Sequence, residues 1–229
     1  MAGTYAAILA LAMVGDEEVY GLIDREALWH WLGQLKQIGG GFRVCEDGAE
    51  DTRGAYCALM AITLLGLPWS LPDDAPARNS GITDFRDGLG EYISRCQTFE
   101  GGIASSPGGN EAHGAYTFCA LACLSILGPP HKVMPEYLDL ENLLRWLSAR
   151  QYAPEGGFAG RTNKLVDGCY SHWIGGCWPL IEAAIQGPTQ PETRYTAPKS
   201  RMFSGEALVR YILSCCQAPK GGLRDKPSK

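Results

Sequence analysis

Four segments of this 229-residue chain share one layout, and that repetition limits the possible fold more than any other feature. In each segment an amphipathic stretch ends near a glutamine, and a short polar spacer then leads to two glycines and an apolar residue. Successive glutamines lie 54 to 66 residues apart, in the upper range of helical repeat periods. The glutamines and glycine pairs are Gln37 with Gly40-Gly41, Gln97 with Gly101-Gly102, Gln151 with Gly156-Gly157, and Gln217 with Gly221-Gly222.

A second apolar segment follows each of the first three glycine pairs, at residues 51–66, 111–128 and 165–184. These segments are apolar on nearly every side, which predicts buried inner helices. The amphipathic segments predict outer helices with a polar face, which would carry Lys36, Arg95, Arg145 and Arg210. The glycine pair suits a reversal that needs positive φ, and residues 4–15 predict a further buried inner helix.

Stacked helical hairpins with an apolar inner layer either close into a ring or extend as an open solenoid. The first inner helix has no outer helix before it, and the fourth glycine pair has no inner helix after it. We therefore expect residues 1–229 to form a single but incomplete all-α domain.

Composition excludes several classes of function. The net charge of -5 argues against a nucleic-acid-binding surface, which needs an excess of Lys and Arg. No apolar run reaches the roughly 18 to 20 residues of a membrane span. The nine cysteines are an odd number with no secretory signal before them, so we expect reduced thiols in the cytoplasm.

Polar and aromatic side chains collect where the inner helices begin. Helix N-termini carry partial positive charge, and with the neighbouring cations they would suit an anion such as a diphosphate, while the aromatic rings would suit an apolar tail. The candidates are Asp51, Arg53, Tyr56, Glu111, His113, Tyr116, Arg161, Lys164, Asp167, Cys169, Tyr170 and Trp173.

Asp167 and Cys169 offer a carboxylate and a thiolate, which together suit zinc if they converge on one ion. The alternatives stay open at this point. Asp167 could be a helix cap beside a buried thiol, and His113 could be a hydrogen-bonded residue at a helix start. Arg161 and Lys164 could belong to a solvated loop, and the aromatic residues could belong to the core.

Five segments resemble the β subunits of the protein prenyltransferases, in particular those of the farnesyltransferases. Within the fourth, Leu165-Val-Asp-Gly-Cys169 is more similar to the farnesyl branch than to the type I geranylgeranyl branch. The segments are residues 51–57 (DTRGAYC), 100–103 (EGGI), 111–119 (EAHGAYTFC), 155–171 (EGGFAGRTNKLVDGCYS) and 215–227 (CCQAPKGGLRDKP).

The resemblance implies an α/α barrel, a zinc cofactor, and farnesyl transfer from farnesyl diphosphate to the cysteine of a C-terminal CaaX motif. It also implies a heterodimer with a helical α subunit. Asp167 and Cys169 would be two zinc ligands, and Lys164 and Tyr170 catalytic residues that contact the diphosphate. The substrate-binding residues implied are His113 and Arg161 at the diphosphate, Tyr116, Cys119 and Trp173 along the isoprenoid, and Arg53 and Tyr56 towards the peptide and lipid end.

One departure from the family pattern matters for activity. The family's third zinc ligand is a histidine in a later segment, and none of the four histidines here lies in such a motif. The alternatives are therefore a catalytically inactive fragment, a geranylgeranyltransferase type I β subunit, or a helical scaffold that only binds proteins.

Overall fold

A computed structural model describes residues 1–188 and 202–227 of the chain. Within these ranges the regular structure is helical, with a 3-10 helix at Pro76–Ser80 and only isolated β-bridges between turns. No helix of the described part is both long and apolar enough to cross a membrane. The α-helices are α1 (Ala2–Val14), α2 (Glu17–Gly21), α3 (Arg25–Leu35), α4 (Thr52–Leu65), α5 (Leu89–Cys96), α6 (Gly114–Leu127), α7 (Pro130–Tyr137), α8 (Leu140–Ser148), α9 (Tyr170–Trp173), α10 (Cys177–Gln186) and α11 (Gly205–Cys215).

The chain divides into two compact units. Unit 1 comprises Met1–Cys96 with Ser105–Pro107, and unit 2 comprises Gln97–Ala104 with Gly108–Lys229. Helices α1 to α5 lie in unit 1, and α6 to α11 lie in unit 2.

Burial separates inner from outer helices as the sequence predicts. Ten of the 14 residues of α4 are buried, whereas three of the 11 residues of α3 are. In unit 2 the buried residues of α6 again outnumber those of α8. The outer helices α3, α8 and α11 begin with Asp24, Asp139 and Ser204, each of which caps the helix through its side chain.

The prediction of a buried helix at residues 4–15 is wrong in its burial. Helix α1 forms and ends at Gly15 in the left-handed region, but Ile8 is its one buried residue. Within unit 1, α1 packs against α4 and α2, so much of its surface stays uncovered. Met13 is 87% exposed as a result.

The third inner helix is shorter and more broken than predicted. Residues 165–169 form a turn, α9 covers one turn of helix, and Gly175 and Gly176 separate it from α10. A Cβ on Gly176 would lie 2.7 Å from the ring of Phe118. This close approach requires glycine, which is a poor helix former, and it explains the break.

The first glycine of each pair has positive φ, between +85° and +105°. A Cβ on Gly101 would collide with the carbonyl oxygen of Asn142 in α8, and one on Gly102 would lie 2.6 Å from the ring of Trp146. The glycines therefore allow the turn to lie directly against the next outer helix. The same contacts join Gly40 and Gly41 to α5, and Gly156 and Gly157 to α11.

A side-chain amide completes this contact. Gln97 Nε2 donates to the carbonyl oxygens of Gly101 (2.9 Å) and Asp139 (3.0 Å), and the Asp139 N–H donates back to Gln97 Oε1 (2.9 Å). Gln151 makes the same three bonds with Gly156 and Ser204. We call this arrangement, of a polar side chain after one outer helix, its glycine pair and the start of the next outer helix, the turn–helix joint.

In the first joint Lys36 replaces the glutamine, so the prediction that Lys36 lies on the polar outer face is wrong. The residue is 1% exposed. Its Nζ donates to the carbonyl oxygens of Gly40, Phe85 and Asp87 at 2.8 to 2.9 Å. Three acceptors match the three donors of the ammonium group, which makes this buried charge tolerable. Gln37 instead bonds the carbonyl oxygens of Leu35 and Lys36.

We predict that Gly101→Ala lowers the free energy of unfolding of unit 2 by roughly 2 to 4 kcal/mol, because strain at positive φ adds to a collision with α8. Gly108→Ala is the matched control, since Gly108 also has positive φ (+78°) but has open space around it. Its cost should be about 1 kcal/mol. Urea unfolding followed by circular dichroism measures both, and equal losses would contradict the joint.

Candidate functional site

Each inner segment begins with a side chain that caps its first turn. These side chains are Asp51, His113 and Asp167, and each accepts the N–H of the residue two positions later at 2.8 to 3.0 Å. Each residue also donates its backbone N–H to the carbonyl oxygen of the apolar residue that follows the glycine pair. The joint therefore determines where the three caps lie.

In unit 2 the cap of α6 meets the start of α9. His113 Nδ1 accepts the Ala115 N–H, so Nε2 carries the ring proton and donates to Tyr170 Oη at 3.1 Å. The Tyr170 ring lies so close to Gly160 that a side chain there would collide with it. Burial, and then the nearby Cys169 and Asp167, raise the pKa of Tyr170. Its hydroxyl is thus protonated at neutral pH.

A cavity of about 210 Å³ opens beside Tyr170 and holds three cationic side chains, Arg161, Lys164 and Lys226, against one carboxylate, Asp167. Arg161 pairs with Glu111 at 3.0 Å, and both side chains are partly exposed. Such exposed pairs contribute little free energy, so the guanidinium can turn towards an anion at small cost. The cavity is lined by Gly160, Arg161, Lys164, Leu165, Asp167, Tyr170 and Lys226.

The size of this cavity favours a small anionic group over a whole lipid. Pockets for drug-sized ligands measure roughly 300 to 1,000 Å³, and 210 Å³ lies below that range. Positive charge with one neutral hydroxyl donor suits phosphate oxygens. The described cavity thus fits a phosphate or diphosphate head group.

Asp167 and Cys169 lie at the edge of the cavity. The Asp167 carboxylate accepts the Cys169 N–H and lies 3.5 Å from Lys226 Nζ. Burial on its own raises the pKa of Asp167, but the bonds from Cys169 and the Lys226 ammonium together lower it. Although Cys169 is exposed overall, partial burial of its thiol and the adjacent Asp167 raise its pKa to about 12. A metal ion would have to displace that proton.

The donor chemistry of this pair suits zinc, but the set is incomplete. A catalytic zinc site normally has three protein ligands. Among residues 1–188 and 202–227, no cluster of three His, Cys, Asp or Glu side chains could hold a metal ion. The described residues therefore provide two candidate ligands and do not form a full site.

The capping alternatives for His113 and Asp167 are confirmed, and they do not conflict with a role in binding. The idea that Cys169 is a buried thiol is wrong, because it is exposed. The predicted isoprenoid-lining residues do not line the cavity. Tyr116 lies beside the His113 ring, Cys119 is buried in α6, and Trp173 packs on Phe118. Their role stays a prediction.

Arg53 and Tyr56 lie in unit 1. Two nitrogens of Arg53 donate to Asp51 at 2.8 and 2.6 Å, so the cap of α4 also holds this guanidinium. Tyr56 is buried, and its hydroxyl lies 3.0 Å from that of Tyr5. Their role towards a peptide also stays a prediction.

Sequence reasoning missed Lys226, Gly160 and the pairing of Glu111. The Gly168 N–H donates to the Asp225 carbonyl at 2.8 Å, and this bond brings the segment after the fourth glycine pair to the cavity. Lys226 follows directly. The sequence contained a signal, since Arg-Asp-Lys-Pro belongs to a segment that carries the resemblance, but no spacing rule linked it to Asp167.

The fold and this site define the class of protein. Residues 1–229 match the family described as the prenyltransferase alpha-alpha toroid domain, and the chain belongs to that family.

Among curated relatives, it is 59% identical to the protein farnesyltransferase subunit beta of Pyricularia oryzae, covering 100% of this chain and 45% of the relative. It is 37% identical to the subunit of that name from Schizosaccharomyces pombe, covering 99% and 53%. The geranylgeranyl transferase type-1 subunit beta of Arabidopsis thaliana is 32% identical, covering 100% and 54%. The chain thus spans about half the length of these relatives.

A solved structure supports the fold alone. Candida albicans protein geranylgeranyltransferase-I complexed with GGPP superimposes with a TM-score of 0.63 at 24% identity, covering 92% of this chain and 57% of that one. With the family match, this confirms the predicted all-α α/α barrel class.

We predict that His113→Ala lowers the free energy of unfolding by roughly 1 to 2 kcal/mol, because α6 loses its cap and Tyr170 loses a partner. His113→Asn should recover about half of the loss, since asparagine also caps helices but does not reach Tyr170. Urea unfolding compares the variants, with Tyr170→Phe isolating the second bond. An Asn variant no more stable than the Ala variant would refute the capping role.

Proposed function

We propose that this chain is the part of a protein farnesyltransferase β subunit that binds the diphosphate of farnesyl diphosphate. In the complete enzyme the farnesyl group would pass to the cysteine thiol of a C-terminal CaaX motif. The observation that carries the proposal is the cationic cavity of unit 2 with Asp167 and Cys169 at its edge. The relatives named for farnesyl transfer are the more similar ones, which favours farnesyl over geranylgeranyl transfer.

Lys164 and Tyr170 act as the catalytic residues in this proposal. As the bond between farnesyl carbon and diphosphate oxygen breaks, negative charge grows on the leaving diphosphate. Lys164, Arg161 and Lys226 would stabilise that charge electrostatically, and the Tyr170 hydroxyl, held by His113, would donate a hydrogen bond to it. Because His113 positions Tyr170, the donor is oriented before substrate binds.

For the metal, we propose Asp167 and Cys169 as two zinc ligands, with the third supplied from outside the described residues. Zinc would supply Lewis-acid activation of the thiol that is to be prenylated. We further propose a heterodimer with an α subunit, a single partial domain over residues 1–229, and a cytoplasmic location. The unpaired, largely buried cysteines of the described chain support a reducing compartment.

The second candidate is a chain that binds the diphosphate but transfers nothing, and the incomplete donor set favours it. A transfer assay decides between the two. The chain is mixed with an α subunit, farnesyl diphosphate, zinc and a fluorescent CaaX peptide. Peptide modification supports the first candidate, whereas tight diphosphate binding without modification supports the second.

We predict that Lys164→Ala and Arg161→Ala each weaken binding of farnesyl diphosphate about 10- to 100-fold, the loss expected for one charge-assisted contact. Arg145→Ala is the control, because that arginine lies on α8 in an exposed pair with Glu141 and should bind as wild type. Isothermal titration gives each affinity. Equal affinity in all three variants would contradict the proposed head-group site.

We predict that Cys169→Ala abolishes the sulfur-to-cobalt charge-transfer band when the chain is titrated with Co²⁺, because the proposed thiolate ligand is gone. Cys45→Ala, at another exposed free cysteine, should keep the band. The readout needs no catalytic activity. A band that survives in Cys169→Ala and disappears in Cys45→Ala would remove Cys169 from the ligand set.

A further inference from the structure

The fourth glycine pair forms a turn with no helix against it among the described residues. Nothing lies within 4 Å of a Cβ placed on Gly221 or Gly222. Leu223 is 65% exposed, whereas its counterparts Phe42, Ile103 and Phe158 are fully buried. The Gln217–Leu223 bridge has nevertheless formed, as in the other turns. The turn half of a joint is therefore present and uncovered.

Helix α3 presents the matching helix half. Asp24 caps the Ala27 N–H at 2.9 Å, as Asp139 and Ser204 cap α8 and α11 at their third following residues. Trp31 lies seven residues after Asp24, the spacing that separates Asp139 from Trp146 and Ser204 from Tyr211.

That helix half is also uncovered. The three buried turns lie against α5, α8 and α11, and within the described ranges no glycine pair lies against α3. Trp31 is half-buried, whereas Trp146 and Tyr211 are each 3% exposed.

A cavity and a charge pattern lie where a docked turn would sit. The cavity measures about 550 Å³ and is lined by Tyr20, Gly21, Ile23 and Arg25, on both sides of Asp24 in the chain. Asp24 and Glu26 are exposed at this end of α3, and Lys220 is exposed next to the fourth glycine pair. Opposite charges of this kind favour and orient association.

We infer that the 229-residue chain associates head to tail, with the fourth turn of one copy docked on α3 of a second copy. Gln217 would bond the backbone N–H and carbonyl of the second copy's Asp24. Gly221 would lie on the carbonyl of Ala27, and Gly222 under the Trp31 ring. The contact joins two different surfaces, so it is heterologous. It depends on the fold and not on the proposed catalytic function.

Two variants test the inference by complementation. Trp31→Ala removes the ring but keeps the turn, while Gly221→Ala blocks the turn but keeps α3, because a Cβ there would meet the docked carbonyl as in the internal joints. Each variant alone should associate at least about tenfold more weakly than wild type. An equimolar mixture retains one intact pair of surfaces and should form a 1:1 dimer. Gly81→Ala, also at positive φ in open space, should associate as wild type.

Sedimentation velocity over a range of concentrations measures all five samples, and circular dichroism checks that each is folded. If Trp31→Ala loses helix content, Ala27→Arg at an exposed position replaces it. Concentration-dependent association of wild type, lost in both variants and restored in their mixture, supports the inference. A wild-type chain that stays monomeric overturns it, as would a helix of another protein being the true occupant. Variants that associate unchanged, or a mixture that does not associate, also overturn it.

Discussion

The close approach of each glycine pair to the next outer helix is the contact on which the rest of the structure depends. The turns pack without side chains against backbone carbonyls and aromatic rings, and a buried polar side chain bonds both partners. Each bond has a matched donor and acceptor, so the buried polar groups carry little desolvation cost. The position of one outer helix thus follows from the turn before it.

The functional site follows from the same contact. The apolar residue after each glycine pair accepts the backbone N–H of the cap of the inner segment. In unit 2, one such cap is His113 and the next is Asp167. Tyr170 is bonded to the first and lies three residues after the second, which places a neutral donor beside cationic side chains. A structural repeat has therefore become a binding site where its cap residues and loops carry charge.

Much of this could be predicted from sequence, because periodicity and turn chemistry are local. The four glycine turns, the inner and outer layers and the cluster at the helix starts needed only spacing and polarity. The errors came from tertiary contacts. Lys36 has the composition of a surface residue but finds three carbonyls in the interior. Residues 4–15 are apolar enough for burial, but only one side of α1 finds neighbours.

Lys226 shows why the rest of the site could not be derived, since it reaches Asp167 through a backbone bond between segments 57 residues apart. The most direct test of the account is a crystal structure of the chain with a non-reactive farnesyl diphosphate analogue. We predict diphosphate oxygens within hydrogen-bonding distance of Lys164, Arg161 and Tyr170. A diphosphate bound elsewhere, with that cavity holding only water, would contradict the account.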